Sequence, residues 1–545
     1  MADFIAKLKQ NFRGDVAEDD ATLDKYSRDA SIFTVRPRLV VFPKDAADVK
    51  TLVRLVNDAN ADGEKWSLTA RAAGTDMGGG ALGESIVVEF ARHMNHIKEV
   101  GDSFAVCEPG VMMRDFETEL RKRGLFLPCY PASKDICALG GMVANNCGGE
   151  KTLKYGKIDR YVMELRMVLR DGEEYAFQEL SLDELADKLK LKNLEGEVYR
   201  GIYELVEKNT SLLAEAKPRV SKNSSGYFLW DVFDRQNKKF DLTRLIVGSQ
   251  GTLGLITEIK LRLLRPKPHS RLLVIFLKEF AALPEIVTRV LAQGPESFES
   301  YDDHTFKIAV RLFPALVRKL RGSIFKLAFS FLPEFWMAAT GGIPKLVLLA
   351  EFTGDTPREA QVAADRAAES LGEFGLRMEV TRSEAAGEKY WVIRRESFSL
   401  LRQHAHGLTA APFIDDIVVR PERLPQFLPR LTEIIRGYDI IDTIAGHMGD
   451  GNFHIIPLMD LTKPGSREII FELMDKVYRL VWEFGGSISG EHNDGIVRTP
   501  YVSMMFAPAV CALFEKTKRI LDPDNIFNPG KKVGGTLDFA KKHLI

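Results

Sequence analysis

Three glycine-rich segments in the first half of the chain constrain its fold more than any other feature. They are ARAAGTDMGGGALG at residues 70–83, ALGGMVANNCGG at 138–149 and VGSQGTLGLIT at 247–257. Each one alone is compatible with an ordinary tight turn, because glycine adopts backbone conformations that other residues avoid. Ordering three such loops costs backbone entropy, and their bare N–H groups can form a concave site for an anion. We therefore predict a large ligand that carries a pyrophosphate.

The first loop does not fit the dinucleotide-binding fingerprint. Gly78, Gly80 and Gly83 match the G-x-G-x-x-G spacing, but that fingerprint requires the glycines to open a helix. The residues that follow, ESIVVEF at 84–90, are strand-like instead. The Rossmann interpretation therefore fails.

The rest of the pattern predicts an α+β chain of several domains, because 545 residues exceed one hydrophobic core. Strands and helices alternate up to the RPKP run at 265–268, where proline favours a boundary, so residues 1–268 form the first domain. A helical, charged stretch at about 180–240 is an insertion in it. Residues 269–484 form a second domain, and residues 485–545 a C-terminal segment. We expect strands at 38–43, 66–71, 84–90, 104–108, 160–170, 244–263, 272–277 and 345–352, and helices at 45–60, 114–123, 281–292 and 358–371.

Composition excludes some classes of function. Lysine and arginine number 75 against 76 aspartates and glutamates, which gives no basic footprint for a nucleic acid. Five cysteines without a CxxC pair argue against disulfides or an iron–sulfur cluster in this chain and predict a cytoplasmic protein. No segment has the roughly 20 apolar residues of a membrane-spanning helix. Residues 309–337 combine five basic residues with many Phe and Leu; they form either a packed helix pair or a surface that contacts a membrane or a partner.

A second candidate site lies in GHMGDGNFH, which contains His447 and His454. If residues 449–452 form the turn of a hairpin, the two histidines face each other directly, with Cβ atoms about 5 Å apart. Imidazoles at this distance can share a metal ion, with Glu491 from GGSISGEH as the third ligand and His492 beside it. The alternative is that both histidines flank an ordinary turn and stay solvated.

The loops RAAGTDMGGG, ALGGMVANNCGG, KYG and GSQGTLGLIT, in this order, resemble the FAD-binding domain of the vanillyl-alcohol oxidase (PCMH) type. From about Tyr26 to Lys532, the chain is similar to the D-lactate, glycolate and D-2-hydroxyglutarate dehydrogenases. The resemblance implies a two-subdomain PCMH-type FAD-binding domain, an α+β substrate (cap) domain, and a C-terminal segment that returns to the flavin.

The resemblance also implies how FAD is held. Its diphosphate would lie between the first two loops, and Ile256 would approach the adenine. RAAGTD contains no histidine, so we expect a non-covalent flavin. The residues expected to contact FAD are Arg71, Ala72, Gly74, Thr75, Asp76, Gly78, Gly79, Pro131, Ala138, Gly140, Gly141, Ala144, Asn145, Asn146, Gly148, Gly149, Tyr155, Gly156, Gly251, Gly254, Ile256 and Asn528.

For catalysis, the resemblance implies that a divalent metal, usually zinc, is held by His447, His454 and Glu491, and that His492 is the base. In WVIRRE, Arg394 would bind the substrate carboxylate, with its neighbour Arg395 as the alternative. Both arginines could instead lie on a solvated helix face. The expected reaction oxidises a 2-hydroxy acid, D-lactate-like or D-2-hydroxyglutarate-like: the metal acidifies the hydroxyl, the base takes its proton, and the flavin accepts the hydride.

The sequence departs from the simpler members of this family in two places. NDGIVRTPY follows the Glu-His pair where they have GIG, which resembles the branch that is fused to, or operates with, a ferredoxin-like iron–sulfur subunit. We therefore expect an electron-accepting partner on another chain. A lysine that often aids substrate binding is replaced near Ile414 in PFIDDIVVRP. Two alternative functions stay open: a metal-independent sugar-acid or alcohol oxidase on the same scaffold, and a flavoprotein subunit that relays electrons.

Overall fold

A computed structural model describes residues 2–303, 305, 342–403, 408–438, 440 and 444–545. The segment 309–337, which the sequence marks as a candidate membrane or partner contact, lies outside these residues. Within the described ranges, no helix is both long enough and apolar enough to cross a membrane.

The chain begins with a small sheet flanked by helices. β2 (Leu39–Phe42) and β3 (Leu68–Arg71) run parallel to β4 (Ile86–Glu89), which lies between them, and β1 (Asp15–Ala17) pairs antiparallel with β2. β2 and β4 are buried along their whole length, as parallel strands usually are. As predicted, a strand follows the first glycine-rich loop. The helices of this part are α1 (Ala2–Asn11), α2 (Asp20–Tyr26) and α3 (Ala46–Ala61).

The second sheet is antiparallel, with the strand order β5-β6-β11-β7-β8-β10-β9. Its strands are β5 (Ile97–Val100), β6 (Phe104–Cys107), β7 (Val162–Val168), β8 (Glu174–Ser181), β9 (Phe233–Asp234), β10 (Lys239–Asp241) and β11 (Leu255–Arg262). The helices of this region are α4 (Met113–Arg121), α5 (Leu139–Asn145), α6 (Thr152–Tyr155), α7 (Leu182–Lys190), α8 (Leu194–Lys208), α9 (Thr210–Ala216) and α10 (Thr243–Ile246). The proposed insertion contains α7, α8 and α9.

One predicted strand is wrong in its first half. The sequence predicts a strand-like run at 244–263, but the chain forms α10 there and the strand β11 begins only at Leu255. Between them, Gly248 and Gly251 have φ of 83° and 66°. These left-handed conformations interrupt an extended strand and shape the third glycine-rich loop.

The third sheet is also antiparallel and has the order β15-β12-β14-β13-β18-β19-β17. Its strands are β12 (His269–Leu277), β13 (Ser297–Asp302), β14 (Leu346–Gly354), β15 (Arg377–Val380), β17 (Ile417–Val418), β18 (Ile444–His447) and β19 (Asn452–Ile455). A separate pair joins β16 (Thr409–Ala410) to β20 (Leu458–Met459). The helices are α11 (Leu283–Ala292), α12 (Pro357–Glu369), α13 (Glu384–Gln403), α14 (Leu424–Arg436) and α15 (Ser466–Glu483).

The C-terminal segment returns to the first domain. Its helices are α16 (Gly495–Arg498), α17 (Val502–Met505), α18 (Pro508–Leu521) and α19 (Leu537–His543). After α18, Phe527 pairs with Leu68 of β3. The Asn528 side chain then donates hydrogen bonds to the carbonyls of Gly80 and Gln250, at 2.8 and 2.7 Å. The end of the chain therefore ties the first glycine-rich loop to the third.

A buried ion-pair cluster joins the first domain to the second. Glu296, just before β13, pairs with Lys151 and, at 3.1 Å, with Lys154. It also accepts hydrogen bonds from the hydroxyls of Tyr155 and Thr353, at 3.0 and 2.6 Å. Burial alone would raise the pKa of Glu296, but the ammonium groups and the Thr353 hydroxyl lower it to about 2. The ionised carboxylate therefore stabilises the joint between the domains.

Glu296→Gln should lower the free energy of unfolding by roughly 2–3 kcal/mol near pH 7. In the folded state the pKa of Glu296 is about 2, below its usual value of 4.5. The stability that Glu296 contributes is therefore fully present when the pH is above 4.5, and it is lost as the pH falls toward 2. Urea denaturation of both proteins near pH 7 and near pH 3.5 measures it. If the two proteins differed in free energy of unfolding by the same amount at both pH values, the stabilising role of the ionised Glu296 would be contradicted.

Candidate active site

The strands β18 and β19 form a hairpin with His447 at one end of its turn. The chain reverses at residues 448–451 and the turn closes at Gly451, whose φ of 65° lies in the left-handed region that favours glycine. His447 therefore pairs with Asn452. The turn predicted at 449–452 is wrong, because the position of the left-handed glycine sets the register.

The two histidines nevertheless lie on the same face of the hairpin. His454 pairs with Ala445 and not with His447. This offset of two residues keeps both side chains on one face, because side chains alternate along a strand. The ring centroids are 5.2 Å apart. The structure therefore brings the histidines together diagonally rather than directly opposite each other.

Glu491 completes the predicted group of three. Its Oε1 lies 3.1 Å from Nε2 of His447 and 3.3 Å from Nε2 of His454. His447 and Glu491 are each only 5% exposed. Two imidazole nitrogens and one carboxylate oxygen around a common point are a donor set that suits zinc and similar divalent cations.

The other nitrogen of each imidazole contacts a buried carboxylate. His447 Nδ1 lies 2.7 Å from Oε1 of Glu299, and His454 Nδ1 lies 3.0 Å from Oδ1 of Asp415. An ionised carboxylate only accepts hydrogen bonds, so each Nδ1 is the donor and each Nε2 is left as the candidate ligand atom. Metal-binding histidines are commonly held in this way.

His492, the proposed base, contacts the second oxygen of Asp415. Its Nδ1 lies 2.8 Å from Oδ2, and its ring stacks on that of His454 with centroids 5.1 Å apart. Burial alone would lower the pKa of His492, but Asp416 and Asp415 raise it. The structure thus brings His492 next to the three proposed ligands.

The charges of this cluster shift one another's pKa. Burial alone would raise the pKa of Glu491, but the Lys222 ammonium and the His447 imidazole hold it well below its usual range. Burial alone would lower the pKa of His454, whereas Asp415 and Glu491 raise it to about 10. Glu491 is therefore ionised, as a metal ligand must be, whereas His454 carries a proton on both nitrogens until a cation displaces the proton from Nε2.

A buried lysine that we did not predict from the sequence lies behind Glu491. Lys222 Nζ is 3.3 Å from Oε2 of Glu491, 3.4 Å from Oδ2 of Asp450 and 3.3 Å from Oδ1 of Asn452. It belongs to SKNSSG, a segment whose pattern indicates only a polar loop. Its charge compensates carboxylates that would be costly to bury unpaired.

The Asp416 carboxylate holds the backbone around Glu491. Its Oδ2 accepts hydrogen bonds from the N–H groups of Glu491 and His492, at 2.9 and 2.7 Å. The same oxygen accepts from the Ser489 hydroxyl at 2.8 Å, and Oδ1 accepts from the Asn452 amide at 3.1 Å. One carboxylate therefore fixes the segment that carries both a proposed ligand and the proposed base.

Two buried cations hold the carbonyl groups of the same segment. Lys157 Nζ donates to the Gly490 carbonyl at 2.7 Å. Arg498 donates to three carbonyls, at 3.0, 3.1 and 2.7 Å, which are those of Ile488, Asn493 and Asp415. Both the N–H groups and the carbonyls of the segment are thus bound by buried charged side chains, which leaves its backbone little freedom.

A second set of candidate metal donors overlaps the first. Ligand atoms of Asp416, His454, Glu491 and His492 lie within 4.8 Å of one another. Both oxygens of Asp416 already accept hydrogen bonds that hold the segment, so coordination by Asp416 would break them. We therefore favour the set in which His447 joins His454 and Glu491.

The two candidate arginines have different partners. Arg394 Nε and Nη2 lie 3.1 and 3.0 Å from Oε2 of Glu299, the carboxylate that also contacts His447. Arg395 forms a bidentate pair with Glu150, at 3.0 and 2.7 Å. Arg394 therefore lies in the histidine cluster and not on a solvated helix face, whereas Arg395 joins α13 to Glu150, the residue that follows the second glycine-rich loop.

The first and second glycine-rich loops face each other. Asp76 accepts hydrogen bonds from the Asn145 amide at 2.7 Å and from the Gly78 N–H at 3.2 Å. A Cβ added to Gly141 would lie 3.7 Å from the Cβ of Ala72, so only small groups meet here. Small residues on two facing loops allow the close approach that a diphosphate requires, so the loops fit this group.

The third glycine-rich loop packs against the second. The Gln250 amide donates to Oδ1 of Asn145 at 3.2 Å, and the Gly248 N–H donates to the Val143 carbonyl at 2.9 Å. The structure therefore gathers all three loops in one place, as a single large ligand would require.

The predicted FAD contacts divide into two groups by burial. The half-buried ones are Ala72, Gly74, Thr75, Asp76, Pro131, Gly141, Ala144, Asn145, Tyr155, Gly156 and Ile256. The buried ones are Arg71, Gly78, Gly79, Ala138, Gly140, Asn146, Gly148, Gly149, Gly251, Gly254 and Asn528. The side chains of Asn528 and Tyr155 are used within the protein, the first to bridge two loops and the second to bind Glu296.

Comparison with known families assigns both parts of the chain. Residues 37–177 match the FAD binding domain, and residues 266–532 match the C-terminal domain of FAD linked oxidases. The chain belongs to the FAD-linked oxidases. The predicted family resemblance is thereby confirmed, with an FAD-binding domain that contains the first two glycine-rich loops.

Curated relatives of this FAD-linked oxidase include enzymes named for 2-hydroxy acids. D-2-hydroxyglutarate dehydrogenase of Pseudomonas putida is 28% identical over 543 residues, which cover 97% of this chain and 51% of the relative. The enzyme of the same name from Escherichia coli is also 28% identical, with 51% of it covered. D-lactate dehydrogenase of Archaeoglobus fulgidus is 25% identical, with 94% of this chain and 96% of the relative covered. The chain thus spans about half the length of the first two relatives.

Solved structures share the fold. 4-Ethylphenol oxidase from Gulosibacter chungangensis superposes with a TM-score of 0.67 at 18% identity, and p-cresol methylhydroxylase with 0.66 at 14%. Each comparison covers 99% of this chain and 98% of the other. At these identities the likeness concerns the fold alone, and it confirms the predicted α+β architecture of the PCMH type.

Asp416→Asn should destabilise the FAD-linked oxidase by about 3 kcal/mol or more. An asparagine amide would direct a donor at N–H groups that now donate to the carboxylate. Urea denaturation measures the change, with Asp187→Asn as the control, because Asp187 is exposed and pairs only with Lys190 on the surface of α7 among the described residues. Equal stability of the two variants would contradict the role of Asp416.

Proposed function

We propose that this FAD-linked oxidase catalyses the FAD-dependent oxidation of a 2-hydroxy acid, D-lactate-like or D-2-hydroxyglutarate-like, to the 2-oxo acid. The observation that carries the proposal is the cluster in which Glu491 contacts Nε2 of both His447 and His454, with His492 stacked beside them. Such a cluster suits a metal and a base, which together remove a hydroxyl proton. The names of the curated relatives support this substrate class.

FAD is proposed to bind non-covalently along the three glycine-rich loops, because RAAGTD contains no histidine. The facing residues Ala72 and Gly141 and the half-buried Asn145 support a diphosphate site between the first two loops. When bound, the flavin supplies an acceptor for the hydride from C2 of the substrate.

A divalent metal, proposed to be zinc, would be held by His447, His454 and Glu491. The support is the chemistry of the donors: each Nδ1 is bound by a carboxylate, which leaves each Nε2 to coordinate, and Glu491 is ionised. When bound, the metal lowers the pKa of the substrate hydroxyl.

His492 is proposed to take the hydroxyl proton on Nε2, because its Nδ1 faces Asp415 at 2.8 Å. Asp415 would then stabilise the imidazolium that forms. Arg394 is proposed to bind the substrate carboxylate, since its partner Glu299 also contacts His447. The partner of Arg395, Glu150, contacts Tyr130 instead.

Three further proposals rest on the sequence. An iron–sulfur protein is the proposed electron acceptor, on the basis of NDGIVRTPY. A cytoplasmic location is proposed because all five cysteines are free. A peripheral contact with a membrane or a partner through residues 309–337 is proposed from their composition.

A substrate screen tests the proposed reaction. Under anaerobic conditions, we expect D-lactate, glycolate or D-2-hydroxyglutarate to bleach the flavin absorbance of the purified protein, and L-lactate to bleach it far less. Bleaching only by a sugar acid or an alcohol would instead favour the metal-independent oxidase. No bleaching by any of these compounds would favour a subunit that only relays electrons.

His447→Ala should remove the bound zinc and lower kcat/KM for the 2-hydroxy acid by at least about a hundredfold, because the loss of a catalytic metal costs several kcal/mol in the transition state. Elemental analysis and steady-state kinetics measure the two effects. The control is His96→Ala, because the His96 side chain is exposed and pairs with Glu108, away from the histidine cluster. Full activity of His447→Ala would eliminate the metal from the mechanism.

A further inference from the structure

Glu299 contacts two different functional groups with its two carboxylate oxygens. Oε1 lies 2.7 Å from Nδ1 of His447. Oε2 lies 3.1 and 3.0 Å from Nε and Nη2 of Arg394. The residue is 1% exposed, so solvent cannot readily replace either contact. One buried carboxylate therefore holds a proposed metal ligand and the proposed substrate anchor.

Asp415 repeats this arrangement on the other side of the cluster. Oδ1 lies 3.0 Å from Nδ1 of His454, and Oδ2 lies 2.8 Å from Nδ1 of His492. Asp415 is fully buried. It therefore accepts a hydrogen bond from the second proposed metal ligand with one oxygen and lies at ion-pair distance from the proposed base with the other.

Two neighbouring buried carboxylates, Asp416 and Glu296, have different partners. Asp416 accepts hydrogen bonds from backbone N–H groups of the segment that carries Glu491, and Glu296 joins the two domains through Lys151 and Lys154. Among the residues that the structure describes, Glu299 and Asp415 are the carboxylates that contact both a proposed metal ligand and another proposed functional side chain. Glu299 contacts His447 and Arg394, and Asp415 contacts His454 and His492. This makes their role testable apart from general stability.

We propose that Glu299 and Asp415 are positioning residues that couple metal binding to the handling of the substrate. Glu299 links the ligand His447 to the anchor Arg394, and Asp415 links the ligand His454 to the base. The inference rests on the proposed function and goes beyond it, because it predicts that substituting a residue that is not a ligand changes the affinity for the metal.

The isosteric amides separate these roles. A carboxylate accepts hydrogen bonds on both oxygens, whereas an amide accepts on one side and donates on the other. Glu299→Gln must therefore lose its contact with either the imidazole or the guanidinium, or strain both. Asp415→Asn removes the negative charge beside both imidazoles, keeps at most one acceptor oxygen for them, and leaves Arg394 untouched.

The experiment measures two binding equilibria in the FAD-loaded full chain. Zinc affinity is measured by calorimetry with zinc chloride. The affinity of the zinc-free protein for a 2-oxo acid, pyruvate or 2-oxoglutarate, is measured from the shift in flavin absorbance. Glu299→Gln should weaken zinc binding by about 10- to 100-fold and 2-oxo acid binding by about tenfold. Asp415→Asn should weaken zinc binding by a similar factor and leave 2-oxo acid binding unchanged.

Glu296→Gln is the matched control, because it also removes a buried carboxylate, three residues from Glu299, and should leave the affinities for zinc and for the 2-oxo acid unchanged.

A second pair of variants leaves the buried acids in place, in case Glu299→Gln does not fold. Arg394→Lys should weaken zinc binding about fivefold or more through Glu299. Arg395→Lys, next to it but paired with Glu150, should not.

Two results would overturn the coupling alone, provided that the wild-type protein binds zinc and oxidises a 2-hydroxy acid. The first is that Glu299→Gln and Asp415→Asn keep the wild-type affinity for zinc. The second is that Arg394→Lys and Arg395→Lys have equal affinities for zinc. If Asp415→Asn weakened 2-oxo acid binding as much as Glu299→Gln does, the proposal that only Glu299 acts on the substrate anchor would be overturned. A wild-type protein that neither binds zinc nor oxidises any 2-hydroxy acid would overturn the proposed function together with the coupling.

Discussion

The adjacent aspartates Asp415 and Asp416 are the constraint on which the rest of the site depends. Both are fully buried. Asp416 binds the backbone N–H groups of Glu491 and His492, and Asp415 orients the imidazoles of His454 and His492. Because both aspartates immediately precede strand β17, the sheet of the second domain determines where the C-terminal segment can place its functional side chains. The proposed ligand, the proposed base and the sheet are thus positioned together when the chain folds.

So many buried charges are tolerated because each either pairs with an opposite charge, as Lys222 does, or donates to buried carbonyl groups, as Arg498 and Lys157 do. Lys222 and Arg498 are almost completely buried beside the carboxylates and carbonyls of the cluster. Removing one member of such a pair typically costs about 3–5 kcal/mol, because the remaining charge is left without solvent or partner. The arrangement therefore stabilises one geometry of the site rather than the fold as a whole. A rigid set of charges is what the stabilisation of a developing charge requires, since little reorganisation then occurs during reaction.

The sequence predicts those features that have local signals. The glycine-rich loops and the alternation of strands and helices follow from short stretches. The turn prediction is wrong, but His447 and His454 still lie on the same face of the hairpin, because an offset of two residues leaves a side chain on its face. Glu299 could not be predicted, because it lies 148 residues from the imidazole that it contacts and SFES has no motif. Lys222 lies 269 residues from Glu491, in an ordinary polar loop. The roles of His492 and Arg394 came from family resemblance, since neither spacing nor composition distinguishes a base or an anchor.

The location of the metal is the central claim, and anomalous diffraction from crystals of the FAD-loaded protein soaked in zinc chloride tests it most directly. We predict one strong peak about 2.0–2.2 Å from Nε2 of His447, Nε2 of His454 and a carboxylate oxygen of Glu491. A peak bonded to Asp416 and His492 instead, or no peak within the cluster, would contradict the account.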